Sequence, residues 1–484
     1  MPSVLSRPIL LVLVLTGLYV SGSGGRAMPQ EDTRERPNIV FILVDDLGWT
    51  DVNPYAPHQD QYYETPNITQ LAGQGVSFTN AYTNSANCAP SRAALLSGQA
   101  YPNNPVYTVG SGARGKDKYR DLVPPENDET LPTDKITFAE RLQDAGYTTG
   151  FMGKWHLGEP PKAGPKQQGY DINVGGYDTG RPSWSGAYFQ PNNNPYIEDA
   201  EDGEYLTDFY TRKAVEFLED HRRNPFYLQL SYYSVHSPLQ APDTRKTPFQ
   251  QKTPVGGHSD ATYAAMIESV DRGVGRIMEA LERLGVKDET IVVFYSDNGG
   301  VDGEAVDHCS ATDNAPLRMG KGSFYEGGIR VPLIVRWPEA VPPGVTVDEP
   351  VIGTDLYPTL LDAANVTRAP NYALDGESLL PLLRKPRTAD LSRKHLYWHF
   401  PGYLNGNVQK GTWRTTPVSV IRSGQWKLLK FYEGPRLELY NLEQDIGENH
   451  DLASEKPTVR RRLHEQLREW LKKNDAPIPQ PETN

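Results

Sequence analysis

Residues 38–46 read Asn-Ile-Val-Phe-Ile-Leu-Val-Asp-Asp, and this stretch decides the fold class. Its apolar part is continuous and rich in β-branched residues, without the alternation of a strand that faces water on one side. Such a run is typical of a strand buried on both faces, in a parallel sheet covered by helices. Runs of the same character return at residues 290–295 and 331–335. We therefore expect a central, mostly parallel sheet.

Helical patterns lie between these runs, at residues 136–145, 207–221 and 263–284. The second and third carry apolar residues at helical spacing, and the first and third end at a glycine. Strands that alternate with helices predict a doubly wound α/β domain. We place this large domain at residues 36–385.

The composition changes after about residue 385. Residues 418–421, 427–432 and 437–440 read as strands of an antiparallel meander. A last helix is predicted at about residues 458–473, with its apolar residues on one face. These patterns predict a smaller C-terminal α+β subdomain over residues 386–484.

The bulk composition excludes some classes of partner. The chain has 484 residues, of which 37% are apolar, enough for a substantial core. Its formal net charge of -12 argues against nucleic acid or an anionic membrane as partner. A small anionic substrate stays possible, because a local basic pocket can lie in an acidic protein.

Residues 1–27 read as an export signal. Arg7 supplies a positive start, residues 9–20 are apolar, and residues 21–27 are small and flexible. The apolar run is shorter than the roughly 20 residues that a membrane-spanning helix needs. We expect a cleaved signal peptide and a periplasmic or secreted protein without a stable membrane anchor; an uncleaved anchor is the alternative.

Acidic pairs follow two of the predicted buried strands: Asp45-Asp46 and Asp297-Asn298. In open α/β sheets, ligands bind just beyond the carboxyl ends of the strands. Three carboxylates and an amide form an oxygen site that suits Ca²⁺, our first choice, or Mg²⁺, and suits zinc poorly. An aspartate after a strand often only caps the next helix or turn. Two such pairs in equivalent places favour the metal site.

Residues 88–98 read Cys-Ala-Pro-Ser-Arg-Ala-Ala-Leu-Leu-Ser-Gly. Pro90 suits the first position of a helix and Gly98 its end, so Cys88 would lie at a helix N-terminus, which favours negative charge. From the residues alone, Cys88 could be a thiolate nucleophile. In an exported protein it could also form a disulfide with Cys309, the only other cysteine.

This stretch resembles the signature of the formylglycine-dependent (type I) sulfatases of the alkaline phosphatase-like superfamily, Cys-x-Pro-Ser-Arg followed by Leu-Thr-Gly. It departs from the signature only at Ser97, which replaces threonine and keeps a hydroxyl. Further motifs of the family are present in the expected order along the chain, at residues 45–46, 153–158, 236–238, 297–298 and 320–322. The likeness runs from about residue 36 to residue 442, and the chain is similar to bacterial polysaccharide sulfatases.

The resemblance implies that Cys88 is oxidised to formylglycine by a formylglycine-generating enzyme or an anaerobic maturase, which leaves Cys309 as a bystander thiol. The aldehyde hydrate has two hydroxyls: one attacks sulfur, and the other then loses a proton and lets the covalent ester collapse, which a serine could not do. The implied metal ligands are Asp45, Asp46, residue 88, Asp297 and Asn298.

The resemblance also implies catalytic roles for basic residues. Fixed cations should surround the sulfuryl oxygens of the transition state, and Lys154 and Lys321 are the candidates. Arg92 would hold the ionised diol and the metal carboxylates. His156 would take the proton of the second hydroxyl, and His236 would contact sulfate and protonate the leaving oxygen.

Two segments rich in aromatic and polar residues, 176–196 and 395–414, suit stacking on sugar rings. Arg181, Trp184 and His399 are our candidate substrate-binding residues. We expect a sulfated carbohydrate, with sulfated galactose or N-acetylgalactosamine as the first candidates. The competing hypotheses are a phosphoester hydrolase on the same fold and an inactive protein that binds sulfated glycans.

Overall fold

The structure is a computed structural model. It describes residues 36–56, 61–182, 187–302, 311–407, 412–434 and 436–481. The predicted signal peptide, residues 1–27, lies outside these ranges. In the described ranges, no helix is long and apolar enough to cross a membrane.

The chain alternates strands and helices over most of its length. The strands, in chain order, are β1 (Asn38–Val44), β2 (Val76–Phe78), β3 (Ala81–Tyr82), β4 (Leu122–Val123), β5 (Thr148–Gly153), β6 (Ile172–Val174), β7 (Phe226–Ser231), β8 (Thr290–Ser296), β9 (Leu333–Arg336), β10 (Val345–Val347), β11 (Val351–Ile352), β12 (Leu396–Phe400), β13 (Leu404–Asn407), β14 (Thr412–Thr415), β15 (Val418–Ser423), β16 (Trp426–Phe431), β17 (Arg436–Asn441) and β18 (Gln480–Pro481). The α-helices are α1 (Pro66–Gly73), α2 (Cys88–Ser97), α3 (Phe138–Asp144), α4 (Leu206–His221), α5 (Asp243–Gln250), α6 (Ala261–Arg283), α7 (Glu326–Ile329), α8 (Leu356–Ala363), α9 (Leu380–Arg384) and α10 (Pro457–Lys473).

The large sheet has the strand order β10-β2-β9-β8-β1-β7-β5-β6. β1 pairs in parallel with both β7 and β8, at the centre of the sheet. The strand predicted at residues 331–335 is present as β9, but it runs antiparallel to β8 and β2. The chain leaves the sheet at the carboxyl end of β8 and enters β9 at that same end. β9 therefore runs antiparallel to β8. The sheet is therefore mostly parallel.

Helices cover both faces of this sheet. Ile39, Phe41 and Leu43 of β1 belong to a core shared with α2, α3, α8 and α9, whereas Val40 and Ile42 face α1, α4, α5 and α6. Every residue of β1 is buried. The predicted doubly wound α/β fold is confirmed, and the unbroken apolar run has its expected cause, burial on both faces.

The predicted helices are present as α3, α4 and α6, with ends set by local hydrogen bonds. Thr137 Oγ1 accepts from Glu140 N at 3.1 Å, and Glu140 Oε2 accepts from Thr137 N at 2.7 Å, so α3 begins after Thr137. Asp260 Oδ1 accepts from the backbone N–H groups of Thr262 and Tyr263 at 2.7 and 2.8 Å, which starts α6 two residues before the predicted start.

A second, antiparallel sheet has the order β12-β15-β16-β17. Leu463, Leu467 and Leu471 of α10 pack on one of its faces. The predicted meander and terminal helix are thus confirmed. β12 lies inside the aromatic segment 395–414 and was not predicted as a strand.

A buried cluster of charges joins this second sheet to the large one. Lys427 Nζ, on β16, lies 2.9 Å from both Glu326 Oε1 and Glu448 Oε1. Glu448 Oε2 also accepts from Glu326 N, the first residue of α7, at 2.6 Å. α7 in turn lies against the loop after β8: a Cβ on Gly299 would lie 1.8 Å from the carbonyl oxygen of Gly327. The cluster therefore holds α7 behind the carboxyl end of β8.

The two glutamates of this cluster differ in their affinity for protons. Burial alone would raise the pKa of Glu326, but Lys427, Arg330 and Arg422 lower it to about 2. Burial, with the negative charge of Glu326, raises the pKa of Glu448 to about 7, against the lowering effect of Lys427. A folded-state pKa above the ordinary value of 4.5 means that Glu448 adds stability at low pH that is lost as pH rises toward 7.

We expect Glu448→Gln to remove this pH dependence. Between about pH 5 and about pH 7.5, the free energy of unfolding of the wild type should fall relative to that of Glu448→Gln. In this range the folded wild type still holds a proton on Glu448 that the unfolded chain has released. Urea denaturation at a series of pH values measures the difference. Glu443→Gln, at an exposed position in the same segment, is the matched control and should follow the wild type. Parallel curves for the wild type and Glu448→Gln would contradict the prediction.

Candidate active site

The carboxyl ends of the parallel strands β8, β1, β7 and β5 lie next to one another, on the same side of the large sheet. Asp45 and Asp46 follow β1 directly, and Asp297 and Asn298 follow β8 directly. β1 and β8 are paired to their last residues, so the two acidic pairs lie side by side. Lys154 follows β5. The fold thus brings the predicted metal ligands together.

Each of the three carboxylates is paired with one cation. Lys154 Nζ lies 2.6 Å from Asp45 Oδ2, and Lys321 Nζ lies 2.6 Å from Asp46 Oδ1. Arg92 Nε lies 2.8 Å from Asp297 Oδ2. All three carboxylates are buried, and Lys154 is completely inaccessible to solvent. The charges of this cluster therefore balance in the protein alone.

Buried oxygen atoms without partners indicate where a cation fits. Oxygen atoms of Asp45, Asp46 and Asp297 lie within 4.8 Å of one another. Asp45 Oδ1 and Asn298 Oδ1 are buried and have no hydrogen-bond partner in the described part of the chain. Buried polar atoms rarely stay unpaired, and carboxylate and amide oxygens are the ligands that hard divalent cations prefer. The residues present fit such an ion.

The pKa values of the cluster reflect its burial and crowding. Burial raises the pKa of Asp45, with a further contribution from Asp297 and Asp46. Burial would also raise the pKa of Asp46, but Lys321, His236 and Lys154 lower it well below its ordinary value. Burial would lower the pKa of Lys321, yet Asp46 and Cys88 raise it, so Lys321 is charged.

Cys88 lies at the N-terminus of a helix, as predicted, but α2 begins at Cys88 itself, two residues before the predicted first position at Pro90, and the thiol is free. Gly98, in the left-handed conformation at φ 66°, ends the helix. Cys88 Sγ lies 3.4 Å from His156 Nδ1. One turn later Arg92 Nη1 donates to the carbonyl oxygen of Lys154 at 2.7 Å and to Ser231 Oγ at 2.8 Å. α2 thus places Cys88 beside His156 and Arg92 beside the ends of β5 and β7. Cys309 lies outside the described residues.

His156 is held in an unusual backbone conformation. Its φ of 60° is left-handed, which is rare for a residue other than glycine and recurs at functional sites. Its N–H donates to Tyr177 O at 3.1 Å, and Gly180 packs on the ring, where a Cβ would lie 2.6 Å from Cε1. Burial and the charges of Lys154 and Arg92 lower the pKa of His156 well below its ordinary value. The imidazole is therefore neutral.

His236 and Lys321 both lie beside Asp46. His236 Nε2 is 3.8 Å from Asp46 Oδ2, and its side chain is 19% exposed. Burial and the charge of Lys321 lower its pKa, against the raising effect of Asp46. Lys321 N donates to Gly300 O at 2.9 Å, which fixes its loop to the segment after β8. Lys321 and His236 are the partly exposed polar groups beside the carboxylates.

The three predicted substrate-binding residues have different outcomes. Arg181 is exposed and directly follows Gly180, which covers His156. Trp184 lies outside the described residues. His399 is 5% exposed, and its ring nitrogens contact Ser419 Oγ at 2.7 Å and Pro477 O at 2.9 Å. Both polar atoms of the ring are engaged inside the protein, so the structure does not support the predicted contact of His399 with substrate.

Two residues of the cluster were missed from the sequence. Ser231, the last residue of β7, accepts from Arg92 as described above. Thr83 Oγ1 donates to the carbonyl oxygen of Asp297 at 2.7 Å. Ser231 carried a usable signal, a small polar residue at the end of a buried strand, whereas Thr83 follows a two-residue strand that gives no pattern.

The comparisons with known proteins agree with this geometry. The model of the sulfatase family matches residues 37–366. The model of the C-terminal part of N-sulphoglucosamine sulphohydrolase matches residues 319–474. A sulfatase of Formosa agariphila is 34% identical, over 96% of this chain and 94% of that protein. Human N-acetylgalactosamine-6-sulfatase is 33% identical, over 76% of this chain and 69% of that protein.

Solved structures extend the comparison to the fold. Ps i-CgsB in complex with k-i-k-neocarrahexaose has 33% sequence identity and a TM-score of 0.72, over 90% of this chain and 93% of that chain. A phosphonate monoester hydrolase of Agrobacterium radiobacter shares the fold at 20% identity, with a TM-score of 0.65, so the fold alone does not choose between sulfur and phosphorus chemistry. The family matches, which cover most of the chain, make that choice: this chain belongs to the sulfatase family and is a sulfuric ester hydrolase.

Proposed function

We propose that this sulfatase hydrolyses the sulfate ester of a sulfated carbohydrate, with a formylglycine made from Cys88 as its nucleophile. In this proposal a Ca²⁺ ion is held by Asp45, Asp46, Asp297 and Asn298 beside residue 88. The observation that carries the proposal is the cluster of three buried carboxylate–cation pairs, one of which is made by Arg92 of α2, the helix that begins at Cys88.

The charge balance of the site supports a divalent cation and an anionic substrate together. Three carboxylates and three cations cancel in the protein alone, so one divalent ion leaves two positive charges in excess. A sulfate ester and an ionised oxygen on residue 88 would cancel these two charges. In a buried site such a balance matters, because uncompensated charge costs several kcal/mol.

A Ca²⁺ ion held by these residues would lower the pKa of a hydroxyl of the formylglycine hydrate, and this hydroxyl would be the nucleophile. The chain's own side chains then bind and neutralise sulfate. Lys321 and His236 are partly exposed beside Asp46 and can reach a ligand. Lys154 is fully buried beside Asp45, and in our proposal its ammonium would bind a sulfate oxygen in the loaded site.

Proton transfer is assigned to the two histidines. The sulfur of Cys88 stands in for the hydrate oxygens, and His156 Nδ1 is 3.4 Å from it, so a neutral His156 is placed to accept a proton there. His236 would donate a proton to the leaving oxygen. A bound sulfate favours this role, because a negative charge beside the imidazole raises its pKa.

Arg92 orients the site. Its three described contacts, with Asp297, Ser231 and the carbonyl oxygen of Lys154, tie α2 to the ends of β8, β7 and β5. A guanidinium suits this task because it presents several donors in a rigid plane.

The names of similar proteins support a carbohydrate substrate. One relative is an N-acetylgalactosamine-6-sulfatase, and one similar structure contains k-i-k-neocarrahexaose. We extend the proposal to export by the signal peptide at residues 1–27, and to maturation by a formylglycine-generating enzyme or an anaerobic maturase.

Cys88→Ala and Cys88→Ser should lower the turnover of 4-nitrophenyl sulfate and of N-acetylgalactosamine 6-sulfate by about 10⁴-fold or more, because both remove the nucleophile. Cys309→Ser is the matched control and should turn over like the wild type. Circular dichroism checks the fold, and mass spectrometry of the peptide that contains residue 88 checks the oxidation. Full activity of Cys88→Ala would refute the mechanism, and a faster reaction with 4-nitrophenyl phosphate would refute the assignment to sulfate esters.

Calcium should stabilise the metal-free protein. At a free Ca²⁺ concentration about 100 times its dissociation constant, binding to the folded state adds about 2.7 kcal/mol to the free energy of unfolding, seen as a higher melting temperature. Asp45→Asn should lose most of this shift, and Asp243→Asn, at a side chain 91% exposed, should keep it. An equal shift in Asp45→Asn and the wild type would place the ion elsewhere.

His236→Ala should slow turnover most for poor leaving groups, because they depend on a proton donor. A series of aryl sulfates with leaving groups of rising pKa measures this as a steeper fall of kcat/KM in the variant. His450→Ala, at an exposed histidine, should keep the slope of the wild type. An unchanged slope in His236→Ala would show that another group protonates the leaving oxygen.

A further inference from the structure

A second cationic position lies beside the nucleophile, outside the carboxylate–cation cluster. Asn87, which precedes Cys88, donates from Nδ2 to Thr108 Oγ1 at 3.3 Å. The guanidinium of Arg114 folds back on this same segment and donates to the carbonyl oxygen of Val109. The loop that carries Arg114 is thus attached to the N-terminus of α2.

This loop is held in place by side chains from both sides. Asn127 makes four hydrogen bonds to its backbone, to Tyr107 N, Thr108 N, Thr108 O and Gly110 O at 2.8–3.2 Å. Arg120 Nη1 contacts the carbonyl oxygens of residues 113, 114 and 115 at 3.0–3.2 Å. A loop fixed in this way presents its side chains with little loss of entropy on binding.

Arg114 has no ion pair in the described part of the chain, although it is half-buried. Burial lowers its pKa, and the charges of Cys88 and Glu129 raise it. A half-buried guanidinium without a counterion is unfavourable unless a ligand supplies one. The cations of the main cluster, by contrast, each have a carboxylate partner.

A second arginine lies next in the chain to a residue that packs on His156. Arg181 directly follows Gly180, which packs on the His156 ring, and its side chain is exposed. It also has no ion pair among the residues that the structure describes. Neither Arg114, whose charge interacts with Cys88, nor Arg181, next to the residue that covers His156, has an ion pair in the described ranges, in a protein of net charge -12.

We propose that Arg114, with Arg181, binds a second anionic group of the substrate, a sulfate or carboxylate near the ester that is cleaved. This inference rests on the proposed function and narrows it: the substrate is a sugar that carries at least two negative charges. Arg114 acts here as a specificity-determining residue, since guanidinium groups bind planar and tetrahedral oxyanions through paired donors.

Competitive inhibition of 4-nitrophenyl sulfate hydrolysis by the matured enzyme tests the proposal. The inhibitors are N-acetylgalactosamine 6-sulfate, its 4,6-disulfate, and the disaccharide in which a uronic acid is joined to the 6-sulfated sugar. In the wild type, at least one of the two doubly charged sugars should inhibit about tenfold more strongly than the monosulfate, as one charge-assisted interaction allows. If the 4,6-disulfate inhibits more strongly than the monosulfate, the second group is a sulfate. If the disaccharide with the uronic acid does so, it is a carboxylate.

Arg114→Ala should bring this ratio of inhibition constants close to one. Arg114→Lys, which keeps the charge, should retain part of it. Lys118→Ala, which removes an exposed charge from the same loop, is the control and should keep the full ratio. Because the ratio is taken within each variant, a general loss of activity cancels.

Two results would overturn the proposal. One is equal inhibition by all three sugars in the wild type. The other is an Arg114→Ala variant that weakens all three equally, which would assign Arg114 to the scissile sulfate or to the stability of the loop. A matured wild type that does not hydrolyse 4-nitrophenyl sulfate or any of the sugars would instead refute the proposed function itself.

Discussion

The pairing of three buried carboxylates with three cations fixes the positions of the segments that form the site. β1 and β8 are neighbours in the sheet, so Asp45 and Asp297 are forced together away from water, where unpaired charge is costly. The three cations come from separate segments: α2, the end of β5 and the loop around Lys321. Each ion pair therefore fixes one of these segments to the sheet edge, and Cys88 and His156 are placed along with them.

The antiparallel sheet supports the carboxyl end of β8 through α7. Its Lys427 holds Glu326 and Glu448, and Glu326 begins α7. The backbone of α7 lies so close to Gly299 that no side chain fits between them, directly after Asp297 and Asn298. The C-terminal part of the chain thus supports the geometry of the carboxylates, although it supplies none of them.

Patterns among residues close together in the sequence were sufficient to predict the fold class and the positions of the acidic pairs. The unbroken apolar runs identified β1 and β8, and their last residues identified Asp45 and Asp297. Contacts that form only after folding left no such signal. The composition of segment 395–414 could not tell that His399 faces inward to Ser419 and Pro477. No motif marks Arg114, which donates to Val109 O and interacts with the charge of Cys88.

The burial of α2 has a consequence for the order of events in the life of the protein. Every residue from Cys88 to Ser97 is buried, and Cys88 itself is only 3% exposed. At this exposure the side chain of Cys88 is out of reach of a second enzyme in the folded protein. In the proposed function, the oxidation of Cys88 would therefore have to come before α2 docks on the rest of the chain.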